Sequence, residues 1–232
     1  MMNNIQSVQS QLASYIGKLL RDHFGKGPGS VFVSVKNPFI TIYLKEFVTP
    51  VEQVLINQDK QTNVEKTRDY LMMELIPEIK EYLSANAGFS IEEVYYDWSL
   101  DTKSGMILGV LSEGKASKEK TWEMYPGKEN VHKEIIRMSR HAEKTPMYVD
   151  SFYLNDRTLV IMRTGILVRI EKELIKSGFE EELKITKRPL EKNLIRKTEL
   201  EEILPSSIEN IFLDWDFNAD ISFIVIILKP NK

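Results

Sequence analysis

The sequence IEEVYYDWSLDTKSGMILGVL at residues 91–111 returns as IENIFLDWDFNADISFIVIIL at residues 208–228. The two stretches align without a gap, with six identities in 21 positions, and Asp97-Trp98 falls on Asp214-Trp215. Seven of the other 15 positions exchange one apolar side chain for another. Similarity at a fixed offset is the signature of repeated structural units, so the chain is predicted to contain two copies of one unit of about 110 residues.

The first unit is predicted to open with a helix and a hairpin. Apolar residues recur at three- and four-residue intervals over 5–20, the spacing of an amphipathic helix. Gly25, Gly27 and Pro28 should end this helix, because glycine adopts the left-handed cap and proline cannot continue it. Residues 31–44 then read as an alternating strand, an Asn-Pro turn and an apolar return strand.

Two more helices are predicted before the Asp-Trp hairpin of the first unit. Thr49 and Glu52 have the spacing of a capping box at the start of a short helix. A longer helix is expected over 64–83, and Pro77 inside it should bend or break it. The unit therefore reads α-β-β-α-α-β-β.

The second unit is predicted to repeat this order. Residues 131–139 read as a helix, 147–162 as a hairpin and 167–176 as the short helix. The long helix is expected over 189–203, with Pro189 in its first turn, where proline is tolerated.

Together these patterns predict an α+β protein of two tandem units, each an antiparallel sheet with helices on one face. An offset of 119 residues aligns Glu52 with Glu171. The predicted domains are 1–113 and 131–232, joined by a polar linker at 114–130. Because a single small unit would expose sheet edges or an apolar face, we expect a pseudo-two-fold arrangement of the two.

Composition narrows the class of protein. The chain has 232 residues, 42% hydrophobic and 28% charged, as in ordinary globular proteins. Its net charge of −3 offers no basic field, so we expect no nucleic-acid partner. The lack of cysteine excludes disulfides and thiolate metal sites and fits a reducing cytosol. No signal peptide or span of roughly 20 apolar residues occurs, so a soluble cytoplasmic protein with peripheral membrane contact at most is expected.

The repeated Asp-Trp pairs are the first candidate site. Carboxylates concentrate near Asp97 and Asp214, and several oxygen ligands are what Mg²⁺ or Ca²⁺ needs. The alternation of ligands typical of a calcium loop is missing, however. We therefore favour a structural interpretation, a hairpin turn in which each Asp accepts backbone N–H bonds and Trp98 or Trp215 packs over the sheet.

The glycine-rich segment at Gly25 and Gly27 has a superficial likeness to a phosphate loop. In a phosphate loop the glycines precede a helix, so that N–H groups at the helix start meet the anion. Here they follow a helix, where the macrodipole repels anions, and capping is the better interpretation. The three histidines show no metal-ligand spacing.

Two segments could contact a partner. Trp122 and Tyr125 interrupt the polar linker, and could either pack on a neighbouring domain or anchor a partner. The run KITKRPLEKNLIRK at 184–197 could face an acidic partner or lipid headgroups, although a solvated helix face is the more ordinary interpretation. The candidate partner surface consists of Trp122, Tyr125, Lys187, Arg188, Arg196 and Lys197.

The order of these motifs in the first unit resembles the MpsC-like family of bacterial proteins. The residues that carry the resemblance are the glycines and proline of 25–28, the valines of 31–35, the apolar strand 40–44 and the helix start 49–52. Lys26 stands where the family has arginine, and Val48 where it has leucine. The resemblance covers 5–111, and 131–228 more weakly as a divergent second copy. It implies association with a membrane system that generates membrane potential or takes up sodium or inorganic carbon, and it supplies no catalytic residues.

We therefore expect a non-enzymatic, cofactor-free accessory or regulatory protein that acts through protein–protein contact. A membrane ion or inorganic-carbon transport system is the candidate partner. The rival hypothesis is a small-molecule sensor or enzyme with its pocket between the two units, since pockets commonly form at such interfaces. A homo-oligomeric scaffold is the third hypothesis. A captured partner, a retained ligand or a second copy of the chain would distinguish the three.

Overall fold

The computed structural model of the chain describes residues 2–112 and 123–230, with side chains from residue 6 onward. The chain divides into two compact units, Met1–Glu119 and Lys120–Lys232. Trp122 and most of the predicted linker lie outside the described residues. The α+β fold in two similar units is confirmed, because helices and one four-stranded antiparallel sheet occur in each.

The first unit has the predicted order of elements. They are α1 (Met2–Phe24), β1 (Ser30–Lys36), β2 (Phe39–Lys45), α2 (Pro50–Ile56), α3 (Gln61–Ala87), β3 (Ile91–Ser99) and β4 (Ser104–Leu111). Helix α1 ends before Gly25, which has a φ of 73° and so occupies the left-handed region that glycine favours. Pro77 lies inside α3 without ending it.

The second unit has the same order with one additional short helix. Its elements are α4 (Lys128–Ala142), β5 (Tyr148–Asn155), β6 (Thr158–Thr164), α5 (Arg169–Lys176), α6 (Glu180–Ile195), α7 (Leu200–Ile203), β7 (Ile208–Asp216) and β8 (Ile221–Leu228). Helix α4 begins at Lys128, so the end of the predicted linker is already helical.

The prediction of a long helix over 189–203 was wrong. Helix α6 begins at Glu180, two residues after Gly178, and carries Pro189 in its interior, while Leu200–Ile203 forms the separate helix α7. Three acidic residues fill the first turn of α6, where they complement the positive end of the helix dipole. Packing of the buried face around Leu183 outweighs the hydrogen bond that proline removes.

The two sheets have matching strand orders, β1-β2-β4-β3 and β5-β6-β8-β7, with every neighbour antiparallel. Their registers match as well. Leu44 pairs with Gly105 in the first sheet, and Arg163 pairs with Ser222 in the second. Residues 119 positions apart in the first two strands, and 117 apart in the last two, are therefore structurally equivalent.

Helices pack on one face of each sheet. In the first unit, Ile16 of α1 and Leu75 of α3 join the core with Ile42 of β2 and Ile107 of β4. In the second unit, Ile135 of α4 and Ile195 of α6 do the same with Ile161 and Ile224. The central strands β2 and β4 are buried on both faces, which explains why their apolar residues form continuous runs.

Gly105 is required by the close approach of Trp98. A Cβ atom at Gly105 would lie 2.4 Å from two ring atoms of Trp98, which is far inside van der Waals contact. We expect Gly105→Ala to destabilise the first unit by about 1–3 kcal/mol through overpacking. Urea unfolding, read by a brief hydrogen–deuterium pulse and mass spectrometry of peptides from each unit, measures this.

The matched control for Gly105→Ala is Gly17→Ala in helix α1. A Cβ at Gly17 meets only Val31 Cγ2 at an ordinary 3.7 Å. This exchange should stabilise by about 0.5–1 kcal/mol, because alanine loses less backbone entropy than glycine in a helix. Equal effects of the two substitutions would contradict the steric argument.

Candidate functional site

A buried ion pair joins the two helices that follow the first hairpin. Arg68 of α3 is 0% exposed, and its Nε and Nη2 donate to the two carboxylate oxygens of Glu52 at 2.7 and 2.8 Å. Nη2 also donates to the carbonyl oxygen of Phe47 at 2.8 Å. This fork geometry gives partners to two of the three guanidinium nitrogens and holds the start of α2 against α3, while Nη1 has no hydrogen-bond partner in the described part of the chain.

Aromatic rings surround the guanidinium of Arg68. Its Cζ lies 4.6 Å from the ring centroid of Trp98, 4.8 Å from that of Phe47 and 5.7 Å from that of Phe24. A ring face attracts a cation, and more strongly where water is excluded. Trp98, from the repeated Asp-Trp sequence, therefore contacts Arg68, which is the cation of the buried Arg68–Glu52 ion pair.

Glu52 also completes the cap of helix α2. Its Oε2 accepts the Thr49 backbone N–H at 2.7 Å, and Thr49 Oγ1 accepts the Glu52 N–H at 3.3 Å. Burial by itself would raise the pKa of Glu52. Hydrogen bonds from Arg68, its positive charge and the Thr49 bonds outweigh burial and lower that pKa. The Glu52 carboxylate is thus held in its charged form.

The second unit has a lysine–glutamate pair at the equivalent positions. Lys187 and Glu171 lie 119 positions after Arg68 and Glu52, and Lys187 Nζ donates to Glu171 Oε1 at 2.6 Å. Glu171 Oε2 accepts the Val168 N–H at 2.9 Å, which keeps the carboxylate half of the capping box. Lys187 Nζ also lies 5.6 Å from the ring centroid of Trp215.

Three further charged residues join this pair in the second unit. Glu143, at the end of α4, forms an ion pair with Lys187, and Glu191 Oε1 lies 3.7 Å from Lys187 Nζ. Glu191 Oε2 lies 2.5 Å from Nη2 of Arg163, a buried residue of β6. The equivalent residues of the first unit are apolar, namely Phe24, Met72 and Leu44. The second unit has thus replaced part of an apolar core by charge.

Small polar residues complete this charged core. Arg163 Nε donates to Ser222 Oγ and its Nη1 to Ser139 Oγ, both at 2.9 Å. The equivalent residues of the first unit are Gly105 and Leu20. Every guanidinium nitrogen of Arg163 therefore has a partner, as a buried cation requires. We call Glu143, Arg163, Glu171, Lys187 and Glu191 the charge network.

The environment changes the pKa values of the second pair in a different way. Burial, followed by the negative charges of Glu191 and Asp220, raises the pKa of Glu171 against the Val168 hydrogen bond and the charge of Lys144. Burial also lowers the pKa of Lys187, despite the neighbouring Glu191. The pKa of Glu52 is lowered and that of its equivalent Glu171 raised, because a lysine shared among several carboxylates compensates each one less.

The Asp-Trp pairs lie within strands rather than in the hairpin turns. Asp97 Oδ1 accepts the Trp98 N–H at 2.7 Å, and Asp214 Oδ1 accepts the Trp215 N–H at 2.9 Å. Asp214 also pairs with Lys184 at 2.8 Å. No group of three or more His, Asp or Glu side chains within 2–112 and 123–230 is arranged to hold a metal ion.

The basic run is not a continuous exposed face. Lys187 and Arg188 are only 4% and 3% exposed, so neither belongs to an accessible partner surface. Their burial follows from the start of α6 at Glu180, which turns these two positions toward β7 and the charge network. Arg196 and Lys197, which follow the end of α6, are exposed.

Tyr125 packs on its own unit. Its hydroxyl lies 2.5 Å from Ser151 Oγ, and its ring meets that of Tyr153 edge-on at 4.8 Å. Ser151 also bonds His132 Nε2 at 2.8 Å. Burial and the charge of Lys128 lower the pKa of His132 against the opposing charges of Asp150 and Glu129. Ser151 is fully buried, so this cluster serves to attach the segment before α4.

The predicted glycine segment acts as a helix end. Lys26 Nζ donates to the carbonyl oxygen of Val48 at 2.9 Å, which ties this segment to the start of α2. A Cβ at Gly27 would lie 3.0 Å from the carbonyl oxygen of Gly17, so the chain passes close to α1 there. Pro28 follows before β1 begins.

Sequence reasoning missed Arg68, Glu143, Arg163 and Glu191 as site residues. The alignment at an offset of 119 contained a usable signal, because extending it from Glu52 and Glu171 places Arg68 on Lys187. The misplaced start of the last helix concealed this match. No signal marked Arg163 and Glu191, since a charged residue in an apolar pattern is ordinarily read as exposed.

The fold and these buried pairs define a class, an α+β protein with two similar units whose short helices are each tied down by a cation–carboxylate pair. Residues 4–113 match the family described as the Na⁺-translocating membrane potential-generating system (MpsC). The first unit is therefore MpsC-like, and the match ends before the second unit. No curated protein and no solved structure matches the chain. No helix in the described ranges is long and apolar enough to cross a membrane.

Removing one charge of the Arg68–Glu52 ion pair should destabilise the first unit. We expect Glu52→Gln to destabilise this unit by about 3–5 kcal/mol, because Arg68 would remain buried without its counter-charge. Arg68→Met combined with Glu52→Gln should recover much of that loss, since no buried charge remains. Pulse-labelled urea unfolding of the two variants provides the measurement. A double variant no more stable than Glu52→Gln alone would refute coupling of the pair.

Proposed function

We propose that the protein is a non-enzymatic, cytoplasmic accessory protein that binds the membrane component of a Na⁺-translocating, membrane potential-generating system. The match of residues 4–113 to the MpsC family carries this proposal, because the family is named for such a system. The contact is between proteins, and any approach to the bilayer is peripheral. Inorganic-carbon uptake is the related process that the same association would serve.

Exposed apolar residues on the matched unit support a protein contact. Val51 and Val54 lie one turn apart on α2, and Tyr70 and Met73 lie one turn apart on α3. Tyr70 is 59% and Met73 55% exposed, while Met72 between them is fully buried. Exposed aromatic and methionine side chains are enriched at protein interfaces. We therefore place the partner surface on α2 and α3 of the first unit.

A second, basic contact is proposed on the other unit. Arg196 and Lys197 are exposed just after α6, where they also complement the negative end of its dipole. Leu190, an exposed apolar residue, lies in the last two turns of α6. Exposed charges at the rim of an interface mainly speed association with a partner of opposite charge.

Replacement of the apolar pair on α3 tests the first contact. We expect Tyr70→Gln with Met73→Gln to reduce capture of the membrane component by about tenfold or more, which corresponds to the loss of one interface hot spot. The measurement is quantitative mass spectrometry after affinity capture from gently solubilised native membranes. Glutamine keeps helix propensity high, so α3 should stay intact.

The control for this pair is Glu81→Gln, an exposed substitution about three turns further along the same helix. It should leave capture unchanged, and both variants should unfold at the urea concentration of the wild-type protein. Unchanged capture by the Tyr70 and Met73 variant would exclude this surface. Absence of the membrane component from the wild-type capture would contradict the proposed function itself.

The basic contact gives a separate prediction. Arg196→Gln with Lys197→Gln should weaken capture several-fold at low salt and have little effect at high salt, because exposed charges are screened by ions. Lys176→Gln, at an exposed lysine on α5, is the matched control. A loss of capture that does not depend on salt would contradict an electrostatic role.

A further inference from the structure

The charge network of the second unit does not balance. It contains three carboxylates, of Glu143, Glu171 and Glu191, and two cations, Arg163 and Lys187. Glu191 and Arg163 are fully buried, and the side chains of Glu143 and Lys187 are almost completely so. The equivalent pair in the first unit, Arg68 with Glu52, is balanced. The charge network therefore carries one formal negative charge in excess.

Three oxygens of the network also lack hydrogen bonds. Glu191 Oε1 and both carboxylate oxygens of Glu143 are buried, and none accepts a hydrogen bond from the described part of the chain. Both carboxylates contact Lys187, whose ammonium group has Glu171 as a third partner. Buried carboxylate oxygens without donors are costly, and a proton on one carboxyl removes both the excess charge and part of that cost.

The charged groups around the network do not supply the missing charge in its interior. Asp220, in the turn between β7 and β8, pairs with Lys172 of α5 at 3.2 Å. On α6, Lys184 and Arg188 lie beside Asp214. Lys144, next to Glu143, is partly exposed to solvent, so water screens its charge.

We propose that the charge network of the second unit is a proton-binding site that holds one proton between Glu143 and Glu171 at neutral pH. A proton fits this position better than a metal cation, because the Lys187 ammonium already occupies the point where the carboxylates meet and repels a second cation. The bound proton leaves two carboxylates for two cations. The first unit binds no such proton.

Proton binding makes the stability of the second unit depend on pH with a definite sign. A carboxyl whose folded-state pKa is raised stabilises the fold below its unfolded pKa and loses this contribution as pH rises through the folded value. The raised pKa of Glu171 gives this direction. Between the two pKa values, the unfolding equilibrium constant of the second unit should rise about tenfold per pH unit.

The decisive comparison is between Glu143→Gln and Glu52→Gln in the full chain. Glu143→Gln removes the excess carboxylate and keeps its shape, so it should abolish the tenfold rise and leave the second unit at least as stable as wild type at mildly alkaline pH. Glu52→Gln removes a balanced carboxylate and should destabilise the first unit. Pulse-labelled urea unfolding at several pH values reads the two units separately.

Infrared spectroscopy of the wild-type protein tests the proton directly. A protonated carboxyl band should be present at neutral pH, disappear as the pH is raised, and be missing at neutral pH in Glu143→Gln. Absence of the band from the wild-type protein at neutral pH would overturn the proposal. So would a Glu143→Gln variant that unfolds with the pH dependence of the wild-type second unit. If this variant does not fold, the wild-type spectrum still decides.

Discussion

The contact on which the first unit depends most is the fork between Arg68 and Glu52. It joins the start of α2, the carbonyl oxygen of Phe47 after β2 and the middle of α3. Loss of any of these hydrogen bonds would leave more of a buried cation without a partner, so each of these segments is held to one position. The ring of Trp98 covers the Arg68 guanidinium from the side of the sheet. This contact explains why tryptophan follows aspartate in β3. Gly105 opposite leaves room for its ring.

The second unit holds its short helix α5 in place with a different set of charged side chains. Lysine replaces arginine at the centre, and a lysine ammonium has no planar fork to hold one carboxylate by two hydrogen bonds. Three carboxylates meet at Lys187, and Arg163 enters where the first unit has leucine. The apolar core around the network keeps the same fold as in the first unit, while the charged residues at the centre of the core differ. This divergence accompanies the end of the family match at residue 113.

We propose two roles within one chain, partner contact and proton binding. The first unit carries the MpsC-like sequence and the exposed apolar residues Tyr70 and Met73, and we place the apolar partner contact there. The second unit carries an unbalanced charged core, whose energy depends on bound protons. Partner contact needs exposed side chains, whereas proton binding with a shifted pKa needs buried ones.

The repeat, the α+β class and most element boundaries follow from the sequence alone, because hydrophobic period and capping are local properties. Thr49 and Glu52 are one example, since a capping box needs only neighbours along the chain. Tertiary structure decided that Pro189 lies inside α6 and that Lys187 is buried, since packing outweighed local propensity. It also decided the charge network, because Arg163 and Glu191 are 28 residues apart and meet only when β6 and α6 pack together.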